Sequence, residues 1–317
     1  MPMVPSATGK GEPLFVTHLM TMSHVVLGII LSSILLVSWQ VGLGGPGTTL
    51  AEESVIIADS ADYFPDAIGN RWVYRGQITE EPIQTVDNKF FTNVSTVVGT
   101  KMLNAVQVTV FHDTNSGNHG PSESYYRRDP AGIVYYGSDP GTPLEKQLTP
   151  YQIFRFPLTI PSSFQQFDRT GLDYGTDMDH DGTSEKVDAK GWVTILGRDT
   201  VTVPAGTFEV IKVEARMTMQ VHLSSGRRTI VGLDTMTAWF AKGVGLVKYV
   251  ERQEMGLMKD DRGVVVEITE ELEEYEIQTP RSSLDGVESP AESIFAHDAG
   301  NHELRQVVLS SRFSSNP

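Results

Sequence analysis

Along residues 55–278 the dominant pattern is alternation with period two, punctuated by Gly, Pro, Asn and Asp. From Ile211 to Val221 apolar and polar residues exchange at every step, as in a strand with one buried and one wet face. The same reading predicts strands at 71–78, 90–98, 105–111, 123–128, 132–136, 190–195, 208–221, 229–240, 246–252 and 264–277. Turn chemistry separates them: Asp129-Pro130-Ala131-Gly132, Asp139-Pro140-Gly141, Pro204-Ala205-Gly206 and Asp260-Asp261-Arg262-Gly263. No helical periodicity intervenes. The fold class is therefore all-β: a curled antiparallel sheet, closed as a barrel, half-barrel or sandwich, following an N-terminal hydrophobic helix.

Two features refine this picture. The final predicted strand carries Glu267, Glu270, Glu271, Glu273, Glu274 and Glu276, which reads as a solvated sheet edge guarded by charge. The tyrosine pairs Tyr125-Tyr126 and Tyr135-Tyr136 must place one ring on each face of their strands. With Trp192, Trp239, Phe240 and Tyr249 they supply rings for an interior that is either filled or left open for one apolar ligand.

The chain ends read differently. Between Glu12 and Glu52 there is no charged side chain except those two, and 25–39 is apolar apart from three serines. Such a segment enters a membrane, as a cleavable export signal or a retained single-pass anchor. Helix-breaking Gly44-Gly45-Pro46-Gly47 and then Thr49-Leu50-Ala51 place cleavage after Ala51. Residues 1–51 are thus a signal peptide or membrane anchor, 52–279 the β domain, and 280–317 a flexible polar tail. The expected location is periplasmic or secreted, or anchored with the domain outside the cytoplasmic membrane.

The chain holds 25 Lys and Arg against 40 Asp and Glu, a formal charge of −15, with no cysteine. That excludes disulfides, thiolate metal sites and cysteine nucleophiles. It also argues against nucleic acid as a partner, since no basic run offsets the acidic surface.

One segment has the spacing of an ion site. Counted from Asp177, carboxylates fall at positions 1, 3, 5, 9 and 12, with Gly182 at 6 and Thr183 at 7. Alternating hard oxygens around a glycine turn suit calcium, which takes six to eight such ligands. The predicted metal ligands are Asp177, Asp179, Asp181, Thr183 and Asp188, with a role in stability. Asp188 stands where a longer glutamate is usual, and no helix flanks the loop. The competing reading is an acidic hairpin turn whose aspartates cap backbone amides. His112 and His119 flank a polar loop without a third zinc ligand. Asn93-Val94-Ser95 matches a glycosylation acceptor. Gly-x-Ser-x-Gly, phosphate-loop and His-Glu-x-x-His motifs are all missing from the sequence.

Three stretches, 63–74 (YFPDAIGNRWVY), 201–213 (VTVPAGTFEVIKV) and 239–248 (WFAKGVGLVK), together resemble a group of uncharacterised exported bacterial β-proteins, some of them lipoproteins. More distantly the pattern is similar to the half-barrels of lipoprotein-localisation carriers, whose concave face holds acyl chains. The resemblance implies a fold and no catalytic residues. The sequence thus leads to a non-enzymatic exported or envelope β-domain, calcium-stabilised, that binds an apolar or envelope ligand or a protein partner. It would touch the membrane only through an uncleaved N-terminal segment. The alternatives are a hydrolase of envelope or extracellular polymer, using carboxylates such as Asp113, Glu123 or Asp129, and a membrane-tethered structural scaffold.

Overall fold

The computed structural model describes residues 54–81, 89–226, 228–256 and 264–278. The predicted signal or anchor (1–51) and tail (280–317) lie outside the described residues. The strands are β1 (Val55–Ile56), β2 (Arg71–Glu81), β3 (Phe90–Leu103), β4 (Val106–Asp113), β5 (Ser122–Asp129), β6 (Gly132–Asp139), β7 (Tyr151–Arg155), β8 (Thr159–Ile160), β9 (Ser162–Asp173), β10 (Lys186–Val203), β11 (Gly206–His222), β12 (Thr229–Ala241), β13 (Gly245–Met255) and β14 (Val264–Glu276). One short helix, α1 (Pro143–Leu148), lies between β6 and β7.

Twelve strands form a single antiparallel sheet in the order β7-β6-β5-β4-β3-β2-β14-β13-β12-β11-β10-β9, nearly closed into a barrel. Strands β1 and β8 pair separately. Each half of the sheet is a meander of sequence neighbours, and the halves join at the β2–β14 ladder, where Arg71 pairs with Glu276 and Ile78 with Ile268. The glutamate-rich final strand is therefore central, which corrects its reading as an edge. Its inward positions Val266, Ile268, Glu270 and Leu272 are all buried, and the remaining glutamates supply its outer face.

The edges are β7 and β9, and they face each other. Tyr151 and Phe167 meet at 5.4 Å between ring centroids, and Gln166 Nε2 donates to Gln152 O at 2.8 Å. Alongside, the Gln147 side chain of α1 donates to Asp173 O at 2.8 Å and accepts from Asp173 N at 2.9 Å. It thereby meets the hydrogen-bonding capacity of the last residue of the β9 edge.

Strand β9 escapes a search for alternation because Gln166 is an extra residue: Gly191 opposes Phe167 while Trp192 opposes Gln165. The bulge turns Phe164 and Phe167, three apart, to the same buried face. Helix α1 escapes because six residues carry no periodicity. Its local signal is a capping box in which the Thr142 hydroxyl accepts from Glu145 N at 3.0 Å and the Glu145 carboxylate accepts from Thr142 N at 3.2 Å, with Pro143 at the first helical position.

The core fills most of the interior, with Ile133, Phe154, Ile195, Ile211, Met217 and Ile268 almost wholly buried. The tyrosine pairs divide as alternation requires. Tyr126 and Tyr135 point inward as cross-strand partners with rings 5.3 Å apart. Tyr125 packs on the outside with Val108 and Val110, and Tyr136 lies against that cluster.

Candidate functional site

The interior is not filled everywhere. A half-open cavity of about 160 Å³ is left among β2–β6 and β12–β14. Its floor is aromatic. Trp72 and Phe111 stack with centroids 6.0 Å apart and an interplanar angle of 17°. Phe64 and Tyr126 close on Phe111 at 5.5 and 5.2 Å. Register sets the polar wall: Tyr74 pairs with Asn93 across β2–β3, Ser95 with Asp113 across β3–β4, and Asp113 with Ser122 across β4–β5. From the other meander, Tyr249 of β13 pairs with Glu270 of β14.

Two carboxylates face this space. Asn93 Nδ2 donates to Asp113 Oδ1 at 3.0 Å and lies 3.4 Å from Glu270 Oε2. Gly117 N donates to Glu270 Oε1 at 2.8 Å, fixing the 114–119 loop to the wall. Burial, followed by the Asp113 and Glu251 charges, pushes Glu270 up to about 7 against the two donors. Burial also raises Asp113, with Asn93 and Ser95 opposing it. On β12, two residues from Met236 of the cavity lining, Asp234 is driven well up by burial and then by the Glu251 charge. Glu251 accepts from Gln253 Nε2 at 2.6 Å and bonds the Tyr249 hydroxyl.

The segment 60–66 brings Phe64 and Pro65 onto the cavity and is clamped by Arg128. That guanidinium donates to Asp66 Oδ2 at 3.0 Å, to Ala61 O at 3.1 Å and to Phe64 O.

These interior acids are legible in retrospect. Asp234, Glu251 and Glu270 each occupy an inward position of an alternating strand where an apolar residue is expected. Of the three carboxylates proposed for a hydrolase, only Asp113 lines the cavity. Glu123 accepts from Tyr125 Oη at 2.9 Å and lies 3.5 Å from Lys101 Nζ. Asp129 caps the β5–β6 turn, accepting from Ala131 N at 2.8 Å.

The acidic loop lies on β10 and its approach. Asp177, Asp179 and Glu185 can bring one carboxylate oxygen each within 4.8 Å of one another. Asp177 accepts from Asp181 N at 3.1 Å and Gly182 N at 2.8 Å. Glu185, fully buried, accepts from Met178 N at 3.0 Å, Asp179 N at 3.3 Å and Ser224 N at 2.7 Å. Asp179 Oδ2 accepts from Ser225 N at 3.0 Å and from the Ser225 hydroxyl, and those donors lower its pKa. Its Oδ1 is buried with no hydrogen-bond partner.

Asp181 turns aside to accept from Thr183 N at 2.9 Å and Ser224 Oγ at 2.9 Å. Thr183 is exposed. Asp188 accepts from Gly171 N at 2.8 Å and meets His222 Nε2 at 3.0 Å. Glu185 joins the carboxylate group that Asp188 does not.

Fold and cavity together define an all-β domain with a small acidic and aromatic pocket inside a nearly closed antiparallel barrel. The profile of the DUF3108-like family matches residues 158–256, about a third of the chain. Among solved structures, the chain is similar to a candidate lipoprotein from Parabacteroides distasonis ATCC 8503, at 17% identity over 68% of this chain and 98% of that one, with a TM-score of 0.33. It is also similar to a candidate exported protein with a YmcC-like fold from Bacteroides fragilis NCTC 9343, at 14% identity over 67% and 98%, with a TM-score of 0.31. No curated protein sequence matches the chain.

Proposed function

We propose that the chain is an exported, non-enzymatic binding domain that holds a small apolar ligand inside its barrel. The observation that carries this reading is the half-open aromatic cavity of about 160 Å³. Apolar cavities of about 150 Å³ are known to take a benzene-sized guest. Export is supported by the charge-free segment before Glu52 and its apolar stretch 25–39. The test is the thermal midpoint with and without benzyl alcohol, for wild type and for Ser124→Leu, which places a larger side chain on the cavity wall. A rise in wild type that disappears in the variant supports the reading. No rise in wild type overturns it.

A hydrolase is the second reading, favoured by Asp113 and Glu270 sharing one amide and by the raised Glu270, the property of a general acid. Reducing ends released from envelope polysaccharide, and lost in both Asp113→Asn and Glu270→Gln, would establish it. No release would remove it.

We further propose that the 177–188 loop holds calcium, with a structural role. The unpartnered Asp179 Oδ1 beside Asp177 and Glu185 supports this. Millimolar calcium should raise the midpoint over excess chelator in wild type and not in Asp179→Ala. An equal midpoint in both media leaves an acidic turn.

A further inference from the structure

The buried ionisable side chains of this molecule are one-sided. Among the described residues Glu80, Glu145, Glu185, Asp234, Glu251 and Glu270 are buried, and no lysine or arginine is. The cavity repeats the bias: Asp113 and Glu270 stand in its wall and no cationic side chain lines it. Trp72, Phe111, Phe64 and Tyr126 line the same space, and an aromatic ring is a favourable neighbour for a desolvated organic cation.

A third observation is independent of charge. Ser122, 3% exposed, lines the cavity directly across from Asp113, and its hydroxyl has no hydrogen-bond partner. Buried polar groups are normally satisfied, so this hydroxyl has hydrogen-bonding capacity to offer toward the cavity. Carboxylates in a wall that holds no lysine or arginine, rings and an unpartnered hydroxyl can all be engaged by one kind of molecule.

We propose that the cavity binds an organic cation: a primary amine on a compact apolar body, its ammonium on the polar wall beside Asp113, Glu270 and Ser122, its body among the aromatic side chains that line the same space. This rests on the cavity reading above and names the ligand class. Cation–π attraction and desolvated carboxylates both strengthen where water is excluded. Bound cation would favour ionised Glu270, drawing its proton off toward solvent near neutral pH.

The experiment compares two isosteres on the full chain at pH 8, above the Glu270 midpoint: benzylammonium and benzyl alcohol, titrated by calorimetry. Benzylammonium should bind at least about tenfold tighter, the ratio that corresponds to about 1.4 kcal/mol. Asp113→Asn and Glu270→Gln should each cut that preference severalfold while benzyl alcohol binding holds. Both changes remove charge without removing volume, and the wild-type comparison stands even if a variant folds poorly. Equal affinity for the two ligands, or a preference that survives both substitutions, overturns the cation and leaves the cavity reading intact. Binding of neither overturns both.

Discussion

The acidic loop and the barrel interior use the same side chains to opposite ends. In the loop, each aspartate is met by donors: Ser225 lowers Asp179, Gly171 and His222 lower Asp188, and Ser184 and Gly175 lower Asp173. In the interior, burial outweighs the donors and raises Asp113, Glu145, Asp234 and Glu270. What separates them is the supply of N–H and O–H groups against the loss of water. A carboxylate in the loop stabilises its surroundings, and one in the barrel is a held liability that a ligand can relieve.

Substitutions should therefore have opposite signs in the two regions. The largest effect is expected for Glu185→Ala, which strips three backbone N–H groups of a buried acceptor. Loss of about 4 kcal/mol in urea unfolding is expected, at roughly 1–3 kcal/mol per orphaned donor. Glu270→Gln should instead stabilise at pH 8. The folded state raises this group from 4.5 to about 7, so the folded protein holds its proton more tightly than the unfolded chain. Wild-type stability is then full below pH 4.5 and falls as pH rises through about 7, by about 3 kcal/mol at 1.36 kcal/mol per unit. Urea midpoints across pH 4 to 8 should converge for wild type and Glu270→Gln at the acid end and separate at the alkaline end, and parallel curves would refute the assignment. Thr142→Ala tests the intermediate case of Glu145, a buried carboxylate with partners. It should lose about 1 kcal/mol through the cap alone. Smallest of all, His222→Ala removes a partly exposed contact to Asp188 and should change stability by less than about 1 kcal/mol.

The alternation of β11 and the tyrosine pairs could be read directly from the chain, because a period of two fixes which side chains share a face. The position of β14 could not. Its glutamates look like edge protection, and only pairing with β2, some two hundred residues earlier in sequence, makes it central. Strand β9 was hidden by one extra residue, Gln166, which breaks the period without ending the strand. At the acidic loop the spacing drew attention to the run of carboxylates, but it could not show that Asp188 would meet His222 and Gly171 while Glu185 lay beside Asp177 and Asp179. At the cavity the signal was present as acids at inward parity. It had no meaning until strands from both meanders were placed around one space.

The joining ladder has a kinetic consequence. Every other pairing in the large sheet is between strands consecutive in sequence, so both meanders can zip up locally, hairpin by hairpin. Only β2–β14 demands an encounter across nearly the whole domain, and its loop-closure entropy grows slowly with length but must be met before any contact is made. In a chain delivered N-terminus first, β2 appears early and waits with one side unpaired until β14, the last of the described strands, arrives. That encounter should set the folding rate, so β2 is the strand on which a chaperone or a competing chain would have the most time to act.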